Sequence, residues 1–107
     1  MFELRQYRTA QGKIVLESWL AALKDVRAAA RIAARLERLS AGNFGDCKPV
    51  GEGVWELRID LGPGYRVYYA VIGRVCILLL CGGDKHRQSA DIARAMEYLR
   101  DYKRRSL

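Results

Sequence analysis

Residues 54–81, VWELRIDLGPGYRVYYAVIGRVCILLLC, hold three consecutive strand patterns and decide the fold. On both sides of the GPG turn at 62–64, hydrophobic residues alternate with polar ones, and this period of two is typical of half-buried β-strands. The Gly-Arg pair at 73–74 suits a second tight turn that has glycine first. The apolar run at 75–81 does not alternate, which indicates a strand covered on both faces. Together these patterns predict an antiparallel meander.

A strand and two helices are predicted before this stretch. Alternation at 2–7 indicates a short first strand, and apolar residues at i, i+3, i+4 and i+7 predict a helix over about 13–24. Asp25 can cap a second helix, which is rich in alanine and arginine. Helices joined this tightly are expected to form an antiparallel hairpin, and a glycine-rich loop is expected at 40–53. The predicted apolar face of the second helix consists of Ala29, Ile32, Ala33, Leu36 and Leu39.

The stretch LCGGDKHRQSADIARA at 80–95 leads from the last strand of the meander into a final helix. Its two glycines are expected to let the chain leave the buried strand, Ser89 is the expected N-cap, and Asp91 falls in the first turn. The predicted order is β-α-α-β-β-β-α. We therefore expect a single α+β domain over 1–107, with a helical hairpin packed on an antiparallel meander sheet. The apolar face of the final helix is marked by Ile92, Met96 and Leu99.

The composition narrows the classes of partner. The 107-residue chain carries a formal net charge of +7 and has an isoelectric point near 9.7, which favours nucleic acid or an acidic protein as partner. The first residues lack the pattern of a secretory signal, so a cytoplasmic protein is expected. The longest apolar run is far shorter than the ~20 residues of a membrane helix, so no membrane contact is expected.

The cysteines, the histidine and the glycines predict no cofactor. Cys47, Cys76 and Cys81 are an odd set with two members in an apolar run, which is typical of reduced packing residues. A single histidine and these cysteines give no zinc-ligand spacing, so no metal is expected. The segment GGDKHRQS lacks the Walker arrangement of glycine, lysine and serine or threonine, and this excludes a nucleotide loop of that type.

The pairing of the predicted strands brings polar side chains together. A three-residue connection at 62–64 would place Asp60 opposite Arg66 and Arg58 opposite Tyr68. Continuing the register through 73–74 would set Arg66 near Cys81, so the strand exit would lie beside the same surface. One face of the sheet would then be polar, with Lys48 from the preceding loop able to join it. The residues expected on or beside this face are Glu56, Arg58, Asp60, Arg66, Tyr68, Asp84, Lys85, His86 and Arg87.

This set of side chains suits metal-independent cleavage of RNA. In that reaction the 2′-hydroxyl attacks the adjacent phosphate, which requires a base, an acid for the leaving 5′-oxygen, and cations that stabilise the phosphorane. Arginine and lysine can supply the positive charge, His86 or a lysine of lowered pKa can transfer protons, and Tyr68 can stack on a base. An ordinary cross-strand charge pattern with a solvated histidine remains an alternative explanation.

The segments WELRI, GPGYRVYY and CILLLCGGDKHRQSADIARA, in this order, resemble the RelE/ParE superfamily of bacterial toxins, in particular its HigB-like addiction module killer proteins. The resemblance implies the toxin of a type II toxin–antitoxin pair, with a helix-turn-helix antitoxin as partner. It also implies a ribosome-dependent endoribonuclease that cuts mRNA and inhibits translation. The residues that it marks for the active site are Arg58, Arg66 and Lys85. Lys48 is a looser match, and the remaining candidates are His86 for catalysis, on chemical grounds only, and Tyr68 and Arg87 for RNA binding.

Other functions stay open from the sequence. The final helix is predicted to continue through Tyr102, where ribosome-cleaving members of the superfamily often have a catalytic tail. A ParE-like inhibitor of DNA gyrase is therefore an alternative, as are a relic without activity and a non-enzymatic module that binds RNA or an acidic partner. In each case an antitoxin is expected to cover part of the basic surface beside the helical hairpin.

Overall fold

The period-two and helical patterns fold into a five-stranded sheet with three α-helices. The structure is a computed structural model and describes residues 1–106. It has the mixed α+β architecture that the sequence predicts. The elements are β1 (Glu3–Gln6), α1 (Val15–Ala22), α2 (Val26–Ser40), β2 (Cys47–Gly51), β3 (Val54–Ile59), β4 (Tyr65–Ile72), β5 (Cys76–Asp84), a single 3₁₀ turn (Lys85–Arg87) and α3 (Gln88–Arg105).

The sheet has the order β1-β5-β4-β3-β2, and this differs from the prediction in two ways. First, β1 pairs with β5 in parallel, so the sheet is mixed rather than wholly antiparallel. Second, the predicted loop at 40–53 contains the strand β2, which pairs with β3. Pro49 and the adjacent glycines concealed this strand, because proline is disfavoured in the interior of a sheet. At the edge of the sheet, where β2 lies, proline is tolerated.

The predicted register between β3 and β4 is wrong by two residues. Ile59 pairs with Tyr65, so residues 60–64 form the connection, and Arg58 lies directly opposite Arg66. The connection is longer than predicted because the carbonyl of Leu61 accepts a hydrogen bond from the Gly64 N–H at 3.0 Å. Leu61 therefore belongs to the turn and takes no part in the strand pairing. An even shift leaves each side chain on its predicted face. The expected proximity of Arg66 to Cys81 is also wrong, since Arg66 pairs with Gly83 and Tyr68 with Cys81.

One face of the sheet forms an apolar core beneath α1 and α2. Asp25 caps α2 as predicted, because its carboxylate accepts from the backbone N–H groups of Arg27 and Ala28 at 3.0 and 3.2 Å. α1 packs mainly on β5 and α2 on β3, so each helix contacts the sheet directly. The predicted position of Ala33 is wrong: it is exposed, and Ala28 takes its place in the core. The buried residues of α1 and α2 are Leu16, Ala28, Ile32, Leu36 and Leu39.

The other face is covered by α3, and here the predicted helix start is wrong. Ser89 lies inside α3 and is not its cap. The Asp84 side chain instead caps the 3₁₀ turn by accepting from the His86 N–H at 2.9 Å. The two glycines do not end β5 but lie within it: a Cβ on Gly82 would overlap the Trp19 ring, and one on Gly83 would overlap the Asp91 carboxylate. They are small so that a helix can approach each side of the strand.

The apolar run is buried from residue 76 to residue 81 as predicted, but the prediction is wrong for Val75, which is 62% exposed and lies in the turn before β5. Burial raises the pKa of the Cys81 thiol to about 12, which keeps that residue a neutral thiol. Cys76 is buried as well, and Cys47 is half-buried; all three cysteines are free. Within residues 1–106, none of the helices is long and apolar enough to cross a bilayer.

Candidate functional site

A pocket of about 430 Å³ opens where β3, the 60–64 connection and the end of β5 meet. It brings together Arg58, Arg66 and Lys85, three of the four side chains that the sequence suggests for catalysis. Two carboxylates, those of Asp46 and Asp60, lie on its wall. The full lining is Asp46, Arg58, Asp60, Gly62, Pro63, Gly64, Arg66 and Lys85.

Strand register places the two arginines of the pocket on one face of the sheet, directly opposite each other. Like charges in such a cross-strand pair repel, so each guanidinium requires compensation. Arg58 finds it in Asp46, whose carboxylate oxygen lies 3.0 Å from Nη2 and 3.3 Å from Nε. The carbonyl oxygen of Arg58 also accepts a hydrogen bond from Arg35 of α2 at 2.9 Å. This arginine is thus held at the pocket rim by an exposed ion pair.

Arg66 is compensated from inside the protein. Its Nε lies 3.7 Å from Oε1 of Glu56, a carboxylate with no exposed surface, while its own side chain is only 12% exposed. The second carboxylate oxygen of Glu56 accepts hydrogen bonds from Gln88 Nε2 at 2.7 Å and from the Tyr68 hydroxyl at 3.1 Å. Burial and the nearby Glu56 raise the pKa of Tyr68, so its hydroxyl remains a donor. A buried network therefore ties Arg66 to β3, β4 and the first residue of α3.

A glycine of the connection separates the two inner cations of the pocket. Gly64 has φ +83°, and a Cβ there would lie 3.3 Å from Nη1 of Arg66 and 3.6 Å from Cβ of Lys85. Its carbonyl accepts from the Lys85 N–H at 2.9 Å, which fixes the start of the 3₁₀ turn against the connection. Glycine at this position permits the left-handed backbone and leaves the space between both side chains open.

Four predicted site residues lie outside the pocket lining. The His86 side chain is 80% exposed, and its Nδ1 lies 3.5 Å from an Asp84 carboxylate oxygen. Lys48 is exposed on β2, opposite Glu56, and Arg87 is exposed on the 3₁₀ turn. The expectation that Tyr68 stacks on a base is wrong, because α3 covers this part of the sheet and Tyr68 is fully buried.

Two residues of the site carried no usable signal in the sequence. Asp46 lies in a segment that looked like a glycine-rich loop, and its pairing with Arg58 depends on where β2 runs. Gln88 reaches Glu56 across 32 residues of chain, and no local pattern reports such a contact. Glu56 itself was expected on the polar face, but its complete burial follows from the position of α3.

The arrangement suits an anion with several oxygens. Guanidinium groups donate to phosphate in a fork geometry, and a lysine ammonium adds a mobile positive charge. The Asp60 carboxylate and the Lys85 ammonium are groups on the pocket wall that can accept or donate a proton. The pocket can therefore hold a phosphodiester and place proton-transferring groups beside it.

Comparison with known proteins adds a family and one relative. The family model described as phage derived protein Gp49-like (DUF891) matches residues 18–101, a range that includes every residue of the pocket lining. A protein of Haemophilus influenzae described as uncharacterized is 54% identical over 82 residues, which cover 77% of this chain and 83% of that protein.

Proposed function

The chain belongs to the phage-derived Gp49-like family, and from this membership and its cationic pocket we propose that it is the toxin of a type II toxin–antitoxin pair. The motifs ELR, YR and GGDK, which resemble those of RelE/ParE and HigB-like toxins, all lie within the matched residues. Its partner would be a helix-turn-helix antitoxin. Its activity would be cleavage of mRNA on the ribosome, without a metal ion.

The proposed reaction uses the RNA's own hydroxyl as nucleophile. The 2′-oxygen forms a bond to the adjacent phosphorus, the bond from phosphorus to the 5′-oxygen breaks, and the products carry a 2′,3′-cyclic phosphate and a 5′-hydroxyl. Negative charge accumulates on the non-bridging oxygens in the transition state, where Arg58 and Arg66 would stabilise it. Both products then leave the pocket, and exchange with solvent removes the proton taken by the base and restores the one given by the acid before the next phosphodiester binds.

Proton transfer is assigned to the two other polar groups of the pocket. Asp60 forms no ion pair within the described residues, so its carboxylate is free to accept the proton of the 2′-hydroxyl. The Lys85 ammonium would donate a proton to the departing 5′-oxygen. His86 receives no role in this scheme because its side chain points to solvent and does not line the pocket.

The observation that carries the proposal is the direct opposition of Arg58 and Arg66, with Lys85 beside them in one pocket. Two facing cations weaken a sheet, so the arrangement favours a function that requires an anion between them. Expression of the chain should stop translation and leave mRNA fragments with 5′-hydroxyl ends. Arg66→Ala should abolish both effects, whereas Arg74→Ala, which alters an exposed arginine in the turn between β4 and β5 at the far end of β4 from the pocket, should not. Unimpaired translation with intact mRNA would contradict the proposal.

A gyrase inhibitor remains the second candidate, and the course of α3 favours it. This helix continues to Arg105, so the region of the expected catalytic tail is helical. Inhibition of DNA supercoiling by purified protein, with mRNA left intact, would support this alternative. Unchanged gyrase activity at high protein concentration would argue against it.

A further inference from the structure

We propose that Glu56 is a positioning residue that orients the Arg66 guanidinium toward the bound phosphodiester, with Gln88 at the start of α3 holding the carboxylate in place. The inference rests on the proposed function, because it explains how one of the two arginines of the same pocket is oriented. It extends that function to a fully buried carboxylate that does not line the pocket.

The contacts of Glu56 are divided between its two oxygens. One oxygen accepts from Gln88 and Tyr68, which come from α3 and β4, so the carboxylate plane is fixed by two separate elements. The other oxygen faces Nε of Arg66 at 3.7 Å, a charge contact rather than a direct hydrogen bond. One carboxylate oxygen is thus held by hydrogen bonds in the core, and the other faces the Arg66 guanidinium beside the pocket.

Arg66 is correspondingly restricted. Its Nε faces Glu56 and its Nη1 donates to the carbonyl of Tyr65 at 3.2 Å. With the side chain 12% exposed, little more than one edge of the guanidinium remains for a ligand. A cation held this way needs no reorganisation when charge develops on a phosphate, and such preorganisation is a main source of electrostatic catalysis.

The burial of this carboxylate argues for a role beyond packing. An ion pair removed from water is rarely more stabilising than apolar side chains of the same volume. The same face of the sheet carries a cluster of buried apolar and aromatic residues, so apolar side chains at both positions 56 and 66 could replace the ion pair. We attribute the presence of the buried Glu56 carboxylate to its effect on the orientation of Arg66.

The first test is Glu56→Gln, which keeps the shape of the side chain and one acceptor oxygen for Gln88 and Tyr68 but replaces the charged oxygen that faces Arg66 with an NH2 group. We expect kcat for RNA cleavage to fall on the order of tenfold, with KM changed by less than about twofold, since alignment and not ground-state binding is lost. Affinity for inorganic phosphate should not weaken, because a negative charge near the pocket has been removed. A structural defect would instead lower cleavage and phosphate binding together.

A double-mutant cycle separates positioning from stability. In an Arg66→Lys background, which keeps a positive charge but lacks the planar guanidinium, Glu56→Gln should have little further effect on cleavage, because the carboxylate acts by orienting the guanidinium. An equal loss in both backgrounds would overturn the proposal. If Glu56→Gln does not fold, Gln88→Ala releases the same carboxylate from α3 and should lower kcat by about threefold. Ser89→Ala, the exposed neighbour of Gln88, is the control and should leave kcat unchanged.

One readout does not depend on RNA cleavage. The Nε–H of Arg66 should exchange slowly with solvent in the unmodified protein, and Glu56→Gln should accelerate this exchange by about tenfold or more in NMR. A protein that cleaves no RNA but shows this acceleration would overturn the proposed function and retain the positioning role. Exchange that is unchanged by Glu56→Gln would overturn the positioning role.

Discussion

Arg58 and Arg66 face each other across β3 and β4, yet the protein holds them by different means. The Arg58 side chain is 38% exposed and pairs with Asp46, itself 53% exposed. The Arg66 side chain is 12% exposed and pairs with the fully buried Glu56. Exposed ion pairs contribute about 0–1 kcal/mol, whereas removal of one partner of a buried pair costs roughly 3–5 kcal/mol. The Arg58 side of the pocket is therefore the adjustable side, and the Arg66 side is the rigid side.

The largest effect on stability is expected from a substitution on the Arg66 side of the pocket. Glu56→Leu leaves the Arg66 guanidinium buried and uncompensated, so the free energy of unfolding should fall by roughly 3–5 kcal/mol in urea denaturation. Adding Arg66→Met should recover most of that loss, since the double variant buries no charge. A loss below about 1 kcal/mol for Glu56→Leu would mean that the two sides of the pocket are not different in kind.

The next effect concerns the space between the cations. Gly64→Ala introduces a Cβ at 3.3 Å from Arg66 Nη1 and strains a backbone at φ +83°. We expect a loss of about 1 kcal/mol in stability together with a severalfold weaker affinity for phosphate, measured by calorimetric titration. Gly73→Ala is a matched control, because its φ of +63° is also left-handed but nothing lies within 4 Å of the new Cβ. It should show the stability loss with unchanged phosphate affinity.

A smaller effect is expected on the adjustable side. Asp46→Asn removes the partner of Arg58, and the free energy of unfolding should change by less than about 1 kcal/mol because the pair is exposed. Phosphate affinity should rise slightly as the guanidinium becomes available, and the difference should diminish in high salt. Destabilisation as large as that of Glu56→Leu, followed by the same urea denaturation, would remove the contrast between the two arginines.

The smallest effect is expected at the histidine. His86→Ala alters a side chain that is 80% exposed and does not line the pocket. Cleavage rates in a reconstituted translation reaction should stay within about twofold of the unmodified protein, as for most exposed substitutions. Lys85→Ala is the informative neighbour and should abolish cleavage. A drop of a hundredfold for His86→Ala would instead assign proton transfer to the histidine.

The sequence alone predicted which side chains share a face of the sheet, but not which strands and helices pack against that face. Alternation along β3 and β4 put Arg58 and Arg66 on one face, and the register error did not matter for this because it was an even number of residues. Proline and glycine concealed β2, and with it the pairing of Asp46. Tyr68 was expected at the surface, since nothing local to it reports that α3 packs above.

The Glu56 network illustrates the same limit at the site. Its members come from β3, β4 and α3, and the contact with Gln88 spans 32 residues of chain. Periodicity identifies which face a residue occupies but not which element covers that face. The cluster of cations was therefore predictable, whereas the burial that separates Arg66 from Arg58 was not.

The proposed function requires that RNA be cleaved in the pocket between Arg58 and Arg66. The most direct measurement is to incubate purified protein with ribosomes translating a defined mRNA and to determine the chemistry of the fragment ends. We expect 5′-hydroxyl and 2′,3′-cyclic phosphate ends with the unmodified protein and with Arg74→Ala, and intact mRNA with Arg66→Ala. Intact mRNA in all three reactions, or cleavage that persists in Arg66→Ala, would contradict it.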